Sequence, residues 1–346
     1  MKPLPSEDMQ HVLAHTHSLW ECVRGKRIFL SGGTGFFGAW ILESLLYCNR
    51  KLRLGLSATI LTRDPNALLK RMPQLASEPS IELLQGDVRS FAFPNQDFDY
   101  VLHAAAPTTQ HASIGSRGLM QTLVHGTERM IELAKARNAK SFLNVSSGAV
   151  YGRQPENLSH IPETYLGGPD WLDANAVYGE CKRVSEQMCA LFAKESTTCI
   201  GIARCFTFVG PHLPLDQHFA IGNFIADALA GRNIVLRGDG SPTRSYLYMA
   251  DLAIWLWTML LFEENPTTSP LVLNVGSGEA ISIRDLAQEV IDQLSPSLKV
   301  EFANNTVAGE QRPQYVPDVR KAESELGLRQ TVGLRDAIRR TAEWYR

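Results

Sequence analysis

A phenol and an ammonium group lie four residues apart in this sequence, at Tyr178 and Lys182 of the motif Tyr-Gly-Glu-Cys-Lys. Residues four apart share one face of a helix, so the two side chains can act on the same reacting atom. A free phenol has a pKa of about 10 and is a poor base near neutral pH, whereas a neighbouring positive charge lowers that pKa. The pair alone also fits an exposed tyrosine and lysine on a helix surface, so its interpretation depends on the rest of the chain.

A hydroxyl-rich segment precedes this pair. It reads Val-Ser-Ser-Gly-Ala-Val-Tyr-Gly over residues 145–152 and follows a predicted strand. Removing the proton of a substrate hydroxyl while hydride leaves the same carbon requires a base within hydrogen-bonding reach. We predict three catalytic residues: Tyr178 as that base, Lys182 as the cation that lowers its pKa, and Ser147 as the group that orients the reacting hydroxyl.

A hydride acceptor is predicted from a glycine-rich turn near the amino terminus. The sequence Ser-Gly-Gly-Thr-Gly-Phe-Phe-Gly over 31–38 follows a strand pattern and opens a helical one. At this spacing Gly32 permits a tight turn, Gly35 lets a pyrophosphate approach the backbone, and Gly38 lets helix and strand pack closely. The amino terminus of the helix offers N–H groups and a partial positive charge to the anion. The turn therefore predicts a nicotinamide dinucleotide as cofactor.

Two further strand ends are predicted to complete the dinucleotide site, because ligands of open α/β sheets bind at the carboxyl ends of the strands. Asp87 and Val88 follow the third strand, where a carboxylate can accept from the adenine amino group, and the alanines at 104–106 follow the fourth. The predicted cofactor-binding residues are Gly32, Thr34, Gly35, Phe36, Phe37, Gly38, Thr62, Arg63, Asp87, Val88, Ala104, Ala105, Ala106, Tyr178 and Lys182.

The choice between NAD and NADP depends on the end of the second strand. An acid that binds the ribose usually stands there, and this chain has Thr62 followed by Arg63 and Asp64. Arg63 could pair with a 2′-phosphate, which favours NADP; alternatively it could stack on adenine while Asp64 reaches the ribose of NAD. The sequence leaves both cofactors open and leans slightly towards NADP.

Short β-branched or apolar segments alternate with longer helical patterns from residue 27 onwards. This alternation predicts an α/β fold, a Rossmann-type doubly wound parallel sheet with a smaller C-terminal substrate-binding domain. We expect an N-terminal extension over 1–24, a dinucleotide-binding domain over 25–204 and a mainly substrate-binding domain over 205–346, with 271–275 as a strand that could return to the main sheet. The predicted strands are Ile28–Leu30, Thr59–Thr62, Ile81–Leu84, Tyr100–His103, Phe142–Val145 and Cys199–Ala203. The clearest predicted helices are Phe37–Tyr47, Leu119–Arg137 and Val177–Ala193.

Composition argues against several other function classes. The 34 Lys and Arg residues are balanced by 36 Asp and Glu, and no basic stripe exists to follow a nucleic acid backbone. No segment has the apolar length of a membrane span, and the start of the sequence lacks the basic and apolar regions of a signal peptide. The six cysteines form no CxxC pair, which fits reduced thiols. We expect a cytoplasmic protein with no metal site and no nucleic acid or membrane partner.

The quoted segments resemble a known enzyme family. The glycine turn, the segment Ser-Ser-Gly-Ala-Val-Tyr-Gly over 146–152 and the Tyr-Gly-Glu-Cys-Lys motif are similar to those of extended short-chain dehydrogenases/reductases, in their nucleotide-sugar epimerase/dehydratase branch. Segments 203–211, 238–248 and 274–278 resemble further landmarks of that branch, so the resemblance covers nearly the whole chain. In the family the reacting Ser or Thr lies four residues before the Tyr of the Val-Tyr-Gly sequence, which selects Ser147 over Ser146.

This resemblance implies a nucleoside-diphosphate sugar as substrate and a homodimer formed by the helices Leu119–Arg137 and Val177–Ala193. It also implies that Arg244 and Arg312 bind the diphosphate, and two guanidinium groups suit a dianionic linker. Thr207 stands where many members of the family have Asn. The predicted substrate-binding residues are Ser147, Gly148, Thr207, Asn223, Arg244 and Arg312.

The expected reaction is epimerisation of a nucleotide sugar through transient oxidation of one hydroxyl to a 4-keto intermediate. Sugar 4,6-dehydratases of the family usually carry an acid within two residues after the catalytic hydroxyl, and here Gly148 and Ala149 cannot transfer protons. Glu163 or Asp173 could supply one, so an activity like that of dTDP-glucose 4,6-dehydratase stays open. Two further functions stay open as well: an NADPH-dependent sugar reductase, suggested by the reductase-like sequence over 62–65, and a non-catalytic dinucleotide sensor.

Overall fold

The computed structural model describes residues 2–107, 111–217, 219–262, 268–303 and 313–346, with only the backbone described at 111–113. Two compact units make up the chain. The first unit comprises Met1–Gly152, Gly167–Cys205 and Ala253–Leu273, and the second comprises Arg153–Leu166, Phe206–Leu252 and Asn274–Arg346.

The strands are β1 (Arg27–Ser31), β2 (Ser57–Thr62), β3 (Ile81–Gln85), β4 (Tyr100–His103), β5 (Ser141–Ser147), β6 (Cys199–Cys205), β7 (Phe208–Val209), β8 (Ile234–Leu236), β9 (Thr243–Arg244), β10 (Leu247–Tyr248), β11 (Leu271–Val275), β12 (Ile281–Ser282), β13 (Val300–Phe302) and β14 (Gln314–Tyr315). The α-helices are α1 (Ser6–Thr16), α2 (Phe36–Leu52), α3 (Pro65–Arg71), α4 (His111–Ala136), α5 (Val177–Glu195), α6 (Ala220–Leu229), α7 (Met249–Leu261), α8 (Ile283–Leu294), α9 (Arg320–Leu326) and α10 (Leu334–Tyr345).

A seven-stranded sheet forms the centre of the first unit, in the order β11-β6-β5-β4-β1-β2-β3. The pairs from β6 through β3 are parallel. The strand order reverses between β1 and β4, which makes the topological switch point where open α/β sheets bind ligands. The α/β fold class is therefore confirmed. Residues 271–275 form β11, which lies at the edge of this sheet next to β6.

Helices cover both faces of this sheet. On one face the ring of Phe142 in β5 packs edge-on against Phe192 of α5, with 6.0 Å between centroids. On the other face Trp257 of α7 lies 5.1 Å from Trp20, measured between ring centroids, and its indole N–H donates to Ser44 of α2 at 2.8 Å. Both tryptophans are fully buried. Trp20 thus anchors the end of the N-terminal extension to the first unit.

The second unit contains short strand pairs and amphipathic helices. Strand β9 lies between β12 and β14, and β10 pairs with β7 and β13 with β8. The C-terminal helix α10 is tied to this unit by Tyr345, whose hydroxyl donates to the carbonyl of Leu213. Within the described ranges no helix is both long and apolar enough to cross a membrane.

Candidate active site

The carboxyl end of β5 and the start of α5 bring the predicted catalytic side chains together in the first unit. Ser147 is the last residue of β5, and its hydroxyl accepts the N–H of Ala149 at 3.2 Å. Helix α5 begins at Val177, so Tyr178 lies in its first turn, where the phenol is within hydrogen-bonding reach of the Ser147 hydroxyl. Lys182 follows one turn later, and its ammonium donates to the Val145 carbonyl at 2.6 Å.

Burial controls the proton affinities of this pair. It raises the pKa of Tyr178 to about 12, although the hydrogen bond to Ser147 acts in the opposite direction. Burial also lowers the pKa of Lys182 to about 8, against the attraction of nearby thiol and carboxyl groups. The protein therefore keeps the phenol protonated until a further positive charge is placed beside it. A cationic nicotinamide ring would provide that charge.

An ion pair that no sequence motif predicts supports this end of the sheet. Arg204, near the end of β6, directs Nε and Nη2 to the carboxylate of Glu186 on α5, with distances of 3.0 and 2.6 Å. Ser146 donates to the same carboxylate at 2.6 Å, and Arg204 also donates to the Tyr151 hydroxyl at 2.8 Å. The available signal was Glu186 one helical turn after Lys182, on the same face of α5.

A second polar group lies deeper, between the sheet and the helices α4 and α5. His103 at the end of β4 is bonded through Nδ1 to the hydroxyl of Ser31 at 2.8 Å and through Nε2 to the hydroxyl of Thr127 at 3.2 Å. Thr127 lies 2.8 Å from the carbonyl of Leu123 and 3.0 Å from the hydroxyl of Ser185. If Thr127 donates to the carbonyl, it must accept from His103, which assigns the imidazole proton to Nε2. This chain of hydrogen bonds joins the strand before the glycine turn to helix α5.

The glycine turn has the shape that a dinucleotide requires. Gly32 has a φ of 84°, and a Cβ there would lie 2.4 Å from the Ala104 carbonyl carbon, while a Cβ at Gly38 would lie 2.3 Å from Gly33. Among the described residues, and apart from its two chain neighbours, no heavy atom lies within 4 Å of where a Cβ at Gly35 would stand. Helix α2 has no side-chain cap, and an uncapped amino terminus offers N–H groups to an anion. The residues present therefore fit a pyrophosphate.

The end of β2 carries the residues on which the choice between NAD and NADP depends. Thr62 is buried, and its hydroxyl interacts with the backbone of Asp64. The Asp64 carboxylate accepts the N–H of Ala67 at 2.9 Å and caps α3. Arg63 is exposed. A second guanidinium, on Arg71, donates to the carbonyl of Thr34 within the glycine turn.

The residues predicted to bind the adenine and the nicotinamide of the dinucleotide differ in their contacts within the protein. Asp87 is held by Arg89, which directs Nε and Nη2 to its two carboxylate oxygens at 2.8 Å each. These bonds, and the nearby charge of Arg63, lower the pKa of Asp87. The Val88 side chain belongs to the hydrophobic core, so only the backbone groups of Val88 can bind a ligand. The alanines at 104–106 are partly buried beside the turn.

The predicted substrate residues outside this region fall in the second unit. Thr207 donates to the carbonyl of Ser245, the residue after Arg244, and Arg244 donates to the carbonyls of Thr243 and Pro313 at 2.9 and 3.0 Å. The Thr207 hydroxyl therefore lies beside the backbone of the residue that follows Arg244. Asn223 is exposed on α6. Arg312 lies outside the described residues.

The two acids considered for a dehydration step have structural partners. Glu163, in the second unit, accepts the N–H of Asn274 at 2.8 Å, and burial raises its pKa. Asp173, in the first unit, caps a short helical turn by accepting the N–H of Asn175 at 2.9 Å. Both carboxylates are therefore engaged in holding local backbone.

The sequence as a whole matches a family model described as the NAD dependent epimerase/dehydratase family, over residues 28–276. Among curated proteins, UDP-glucuronic acid decarboxylase 5 of Arabidopsis thaliana is 30% identical over 319 residues, which cover 92% of this chain and 88% of the relative. UDP-glucuronic acid decarboxylase 1 of Danio rerio is 27% identical over 324 residues, with coverages of 92% and 72%.

Solved structures share the fold at lower identity. UDP-N-acetylglucosamine 4-epimerase of Methanobrevibacter ruminantium, in complex with UDP-N-acetylmuramic acid, superposes with a TM-score of 0.76 at 20% identity, covering 92% of this chain and 98% of that one. A dTDP-glucose 4,6-dehydratase of Streptomyces venezuelae with NAD bound gives a TM-score of 0.74 at 23% identity, with coverages of 92% and 96%.

Proposed function

This chain belongs to the NAD dependent epimerase/dehydratase family, and from that membership we propose that it is a nucleotide-sugar epimerase. The observation that carries the proposal is the grouping of Ser147, Tyr178 and Lys182 at the carboxyl end of β5, in the same unit as the glycine turn. The family establishes an enzyme that uses a dinucleotide. The reaction and the substrate are what we propose here.

The proposed chemistry begins and ends at one sugar hydroxyl. The bound dinucleotide supplies a site that takes a hydride from the sugar carbon and gives it back. Tyr178, as the phenolate, takes the proton of that hydroxyl and later returns it, so the protein ends the cycle in its starting protonation state. Ser147 donates to the reacting oxygen and holds it near the phenol. Lys182 stabilises the phenolate through its positive charge. Rotation of the keto sugar between the two hydride steps inverts the carbon with no net oxidation.

The residues after Ser147 favour epimerisation over dehydration. Gly148 and Ala149 carry no group that transfers protons, and eliminating water from a 4-keto sugar requires an acid at that point. Glu163 and Asp173 each accept a backbone N–H through one carboxylate oxygen, which ties both side chains to local backbone. Epimerisation needs no further proton donor beyond Tyr178.

Decarboxylation of a nucleotide hexuronate is the second candidate, because the curated relatives at 30% identity are decarboxylases. A 4-keto sugar whose C5 bears a carboxylate is a β-keto acid. Such an acid loses carbon dioxide to leave an enolate, which takes up one proton at C5 from solvent, so no leaving hydroxyl has to be protonated. The first step, oxidation at the 4-hydroxyl, is the same as in epimerisation, so the substrate side chain at C5 decides the product.

Proton NMR of products from a panel of nucleoside-diphosphate sugars, including UDP-glucuronic acid, separates these reactions. The proposal predicts a 4-epimer with no net change in nicotinamide absorbance. A pentose product with release of carbon dioxide would establish the decarboxylase, and a 6-methyl 4-keto product the dehydratase. Stoichiometric consumption of NADPH would establish a reductase. Full activity in Tyr178→Phe would overturn the assignment of the base.

We propose that the substrate diphosphate binds at Arg244. Thr207 donates to the carbonyl of Ser245, the residue after Arg244, and this bond supports a polar site in the second unit. Replacing Arg244 with Gln should raise KM for a nucleoside-diphosphate sugar by about ten- to a hundredfold, the value of a charge-assisted hydrogen bond. An unchanged KM would exclude this role.

The cofactor preference is proposed to be NADP. Two observations support it: the Asp64 carboxylate caps α3, and the Arg71 guanidinium donates to the carbonyl of Thr34 in the glycine turn. Titration calorimetry of the dinucleotide-free protein with NAD⁺ and NADP⁺ tests this preference. Arg63→Ala should raise the Kd for NADP⁺ by about tenfold or more and leave the Kd for NAD⁺ nearly unchanged. Tighter binding of NAD⁺ by the unmodified protein would exclude it.

A homodimer through α4 and α5 is proposed as the assembly. Large apolar side chains on these helices are exposed in the single chain, namely Met120 at 53%, Val184 at 42% and Leu191 at 50%. Such side chains mark surfaces that partners cover. Sedimentation should give a dimer that Leu191→Glu dissociates. A monomer in the unmodified protein would exclude it.

A further inference from the structure

The side chain of Asn144 is buried in β5 without a hydrogen-bond partner among the described residues. Its exposed fraction is zero, and both Nδ2 and Oδ1 lack a partner. An amide buried without partners destabilises the fold, because it loses its hydrogen bonds to water and gains none in return. Buried polar groups in native proteins are bonded almost without exception, often to an internal water. Asn144 therefore calls for a partner outside the described protein groups, and an internal water is the usual one.

The strand pattern fixes which way this amide faces. Side chains two residues apart in a strand point to the same face of the sheet. Phe142 packs on Phe192 of α5, and Ser146 donates to Glu186 of the same helix. Asn144 lies between them, so its amide faces α5 from the middle of β5.

Lys182 approaches the same place. Its ammonium donates to the carbonyl of Val145, the residue directly after Asn144, at 2.6 Å. His103 is the register partner of Asn144 in β4, and the charge of Lys182 contributes to the lowered pKa of His103. Lys182 is 3% exposed, and of its three N–H donors one meets an acceptor within the described part of the chain.

We propose that Asn144 and Lys182 share an internal water, and that Asn144 is a positioning residue for the catalytic lysine. The water accepts an N–H of Lys182 and bonds the amide of Asn144, which satisfies two buried groups at once. A water needs two to four polar partners to be stable at such a site. The catalytic part of this inference rests on the proposed function, whereas the water site does not.

This arrangement stabilises the charged form of Lys182. Without the water, the ammonium would lose a hydrogen bond in a site where burial already disfavours its charge. The ionisable groups that face Lys182 come from three elements: Tyr178, Cys181, Glu186 and Cys189 from α5, Cys205 from β6 and His103 from β4. Of these, Glu186 supplies negative charge near neutral pH, and it is neutralised by Arg204.

A crystal structure of the dinucleotide-loaded protein tests the water site directly. The expected result is an ordered water within hydrogen-bonding distance of both the Asn144 amide and the Lys182 ammonium. Density that shows the amide bonded to a protein group, or a dry site, would overturn the proposal. This readout needs no sugar substrate, so it stands whichever reaction the enzyme performs.

The pH profile of turnover tests the role of Asn144. In Asn144→Leu the water has no amide to bind, so Lys182 should lose its proton at lower pH and the alkaline limb should move down by about one pH unit. Asn144→Val, with a better strand former, should give the same shift if the leucine variant folds poorly. Asn144→Ser, which leaves space and a hydroxyl for water, should restore the original profile.

Phe142→Leu is the matched control, because it disturbs the same face of β5 away from Lys182. It should lower stability and leave the alkaline limb in place. An unmoved limb in both Asn144→Leu and Asn144→Val, or an equal shift in the control, would overturn the positioning role. If no sugar in the panel is turned over, the proposed function fails, and the crystallographic water then decides this inference alone.

Discussion

Glu186 and Arg204 form an ion pair beneath the candidate catalytic end of the sheet, with Arg204 Nη2 2.6 Å from a Glu186 carboxylate oxygen. The two side chains are 11% and 16% exposed, so removing one leaves the other charge largely desolvated. Glu186→Ala should lower the free energy of unfolding by about 3 kcal/mol, measured by urea denaturation.

A control for this variant exists on the same helix. Glu195 pairs with Lys135 at 2.7 Å, with side chains 60% and 42% exposed. Glu195→Ala should cost less than about 1 kcal/mol, because exposed ion pairs are screened by water. Equal losses of unfolding free energy in the two variants would show that burial does not make the Glu186–Arg204 pair more important for stability.

His103 should make the protein sensitive to mild acid. Burial lowers its pKa to about 3, and the Lys182 charge acts in the same direction. An unfolded histidine titrates near pH 6.5, so below that pH the unfolded state binds the extra proton and the free energy of unfolding falls as the pH falls towards 3. The contribution of His103 between pH 6.5 and 5 is a loss of about 1.5 kcal/mol.

Urea denaturation at a series of pH values measures this contribution. His103→Gln should be less stable at pH 7 but should lose less stability between pH 6.5 and 5 than the unmodified protein. His17→Gln, at an exposed position, should leave the pH dependence as it is. A slope unchanged by His103→Gln would contradict the buried neutral imidazole.

Two glycines of the turn should respond differently to a methyl group. A Cβ at Gly38 would lie 2.3 Å from the backbone of Gly33, so Gly38→Ala should destabilise even the dinucleotide-free protein by about 1–3 kcal/mol. A Cβ at Gly35 meets nothing within 4 Å, so Gly35→Ala should keep that stability within about 0.5 kcal/mol. It should nevertheless weaken dinucleotide binding, because the methyl group occupies the space of the pyrophosphate.

Thermal unfolding without dinucleotide and calorimetric titration with it measure the two effects. Unmodified affinity in Gly35→Ala would contradict the placement of the pyrophosphate at this turn. A Gly38→Ala protein as stable as the unmodified one would contradict the close contact between turn and helix.

Lys182 should cost stability while it serves catalysis. Burial lowers its pKa to about 8, so at pH 7 the folded protein holds a charge that its surroundings disfavour. The unfolded lysine keeps its proton to about pH 10.4, so the stability of the unmodified protein should rise as the pH rises from about 8 to 10. Lys182→Met should remove this rise, stabilise the protein by up to about 3 kcal/mol at pH 7 and abolish turnover.

The exposed Lys194, on the same helix, provides the comparison. Lys194→Met should change stability by less than about 0.5 kcal/mol and retain turnover. Chemical denaturation between pH 7 and 10 measures both variants. A Lys182→Met protein that is less stable at pH 7 would show that the bond to the Val145 carbonyl outweighs the cost of burying the charge.

The sequence by itself determined the fold class and the predicted chemistry, because both follow from the spacing of residues that are close together in the chain. Alternating strand and helix patterns predict a doubly wound sheet, and Gly32, Gly35 and Gly38 predict a dinucleotide turn from eight consecutive residues. Tyr178 and Lys182 are four apart on one helix, so their common face follows from helix geometry alone. The placement of Ser147 at a strand end follows in the same way.

Only the tertiary structure decided the environment of these groups. The partners of Glu186 and His103 lie on elements that are distant in the sequence, and no local pattern shows that Arg204 or Ser31 will meet them. Burial likewise decides that Lys182 contacts the Val145 carbonyl with a lowered pKa, and that the Asn144 amide faces α5 without a protein partner among the described residues. Spacing fixes which residues share a face, whereas desolvation and hydrogen bonding depend on what the folded chain packs against that face.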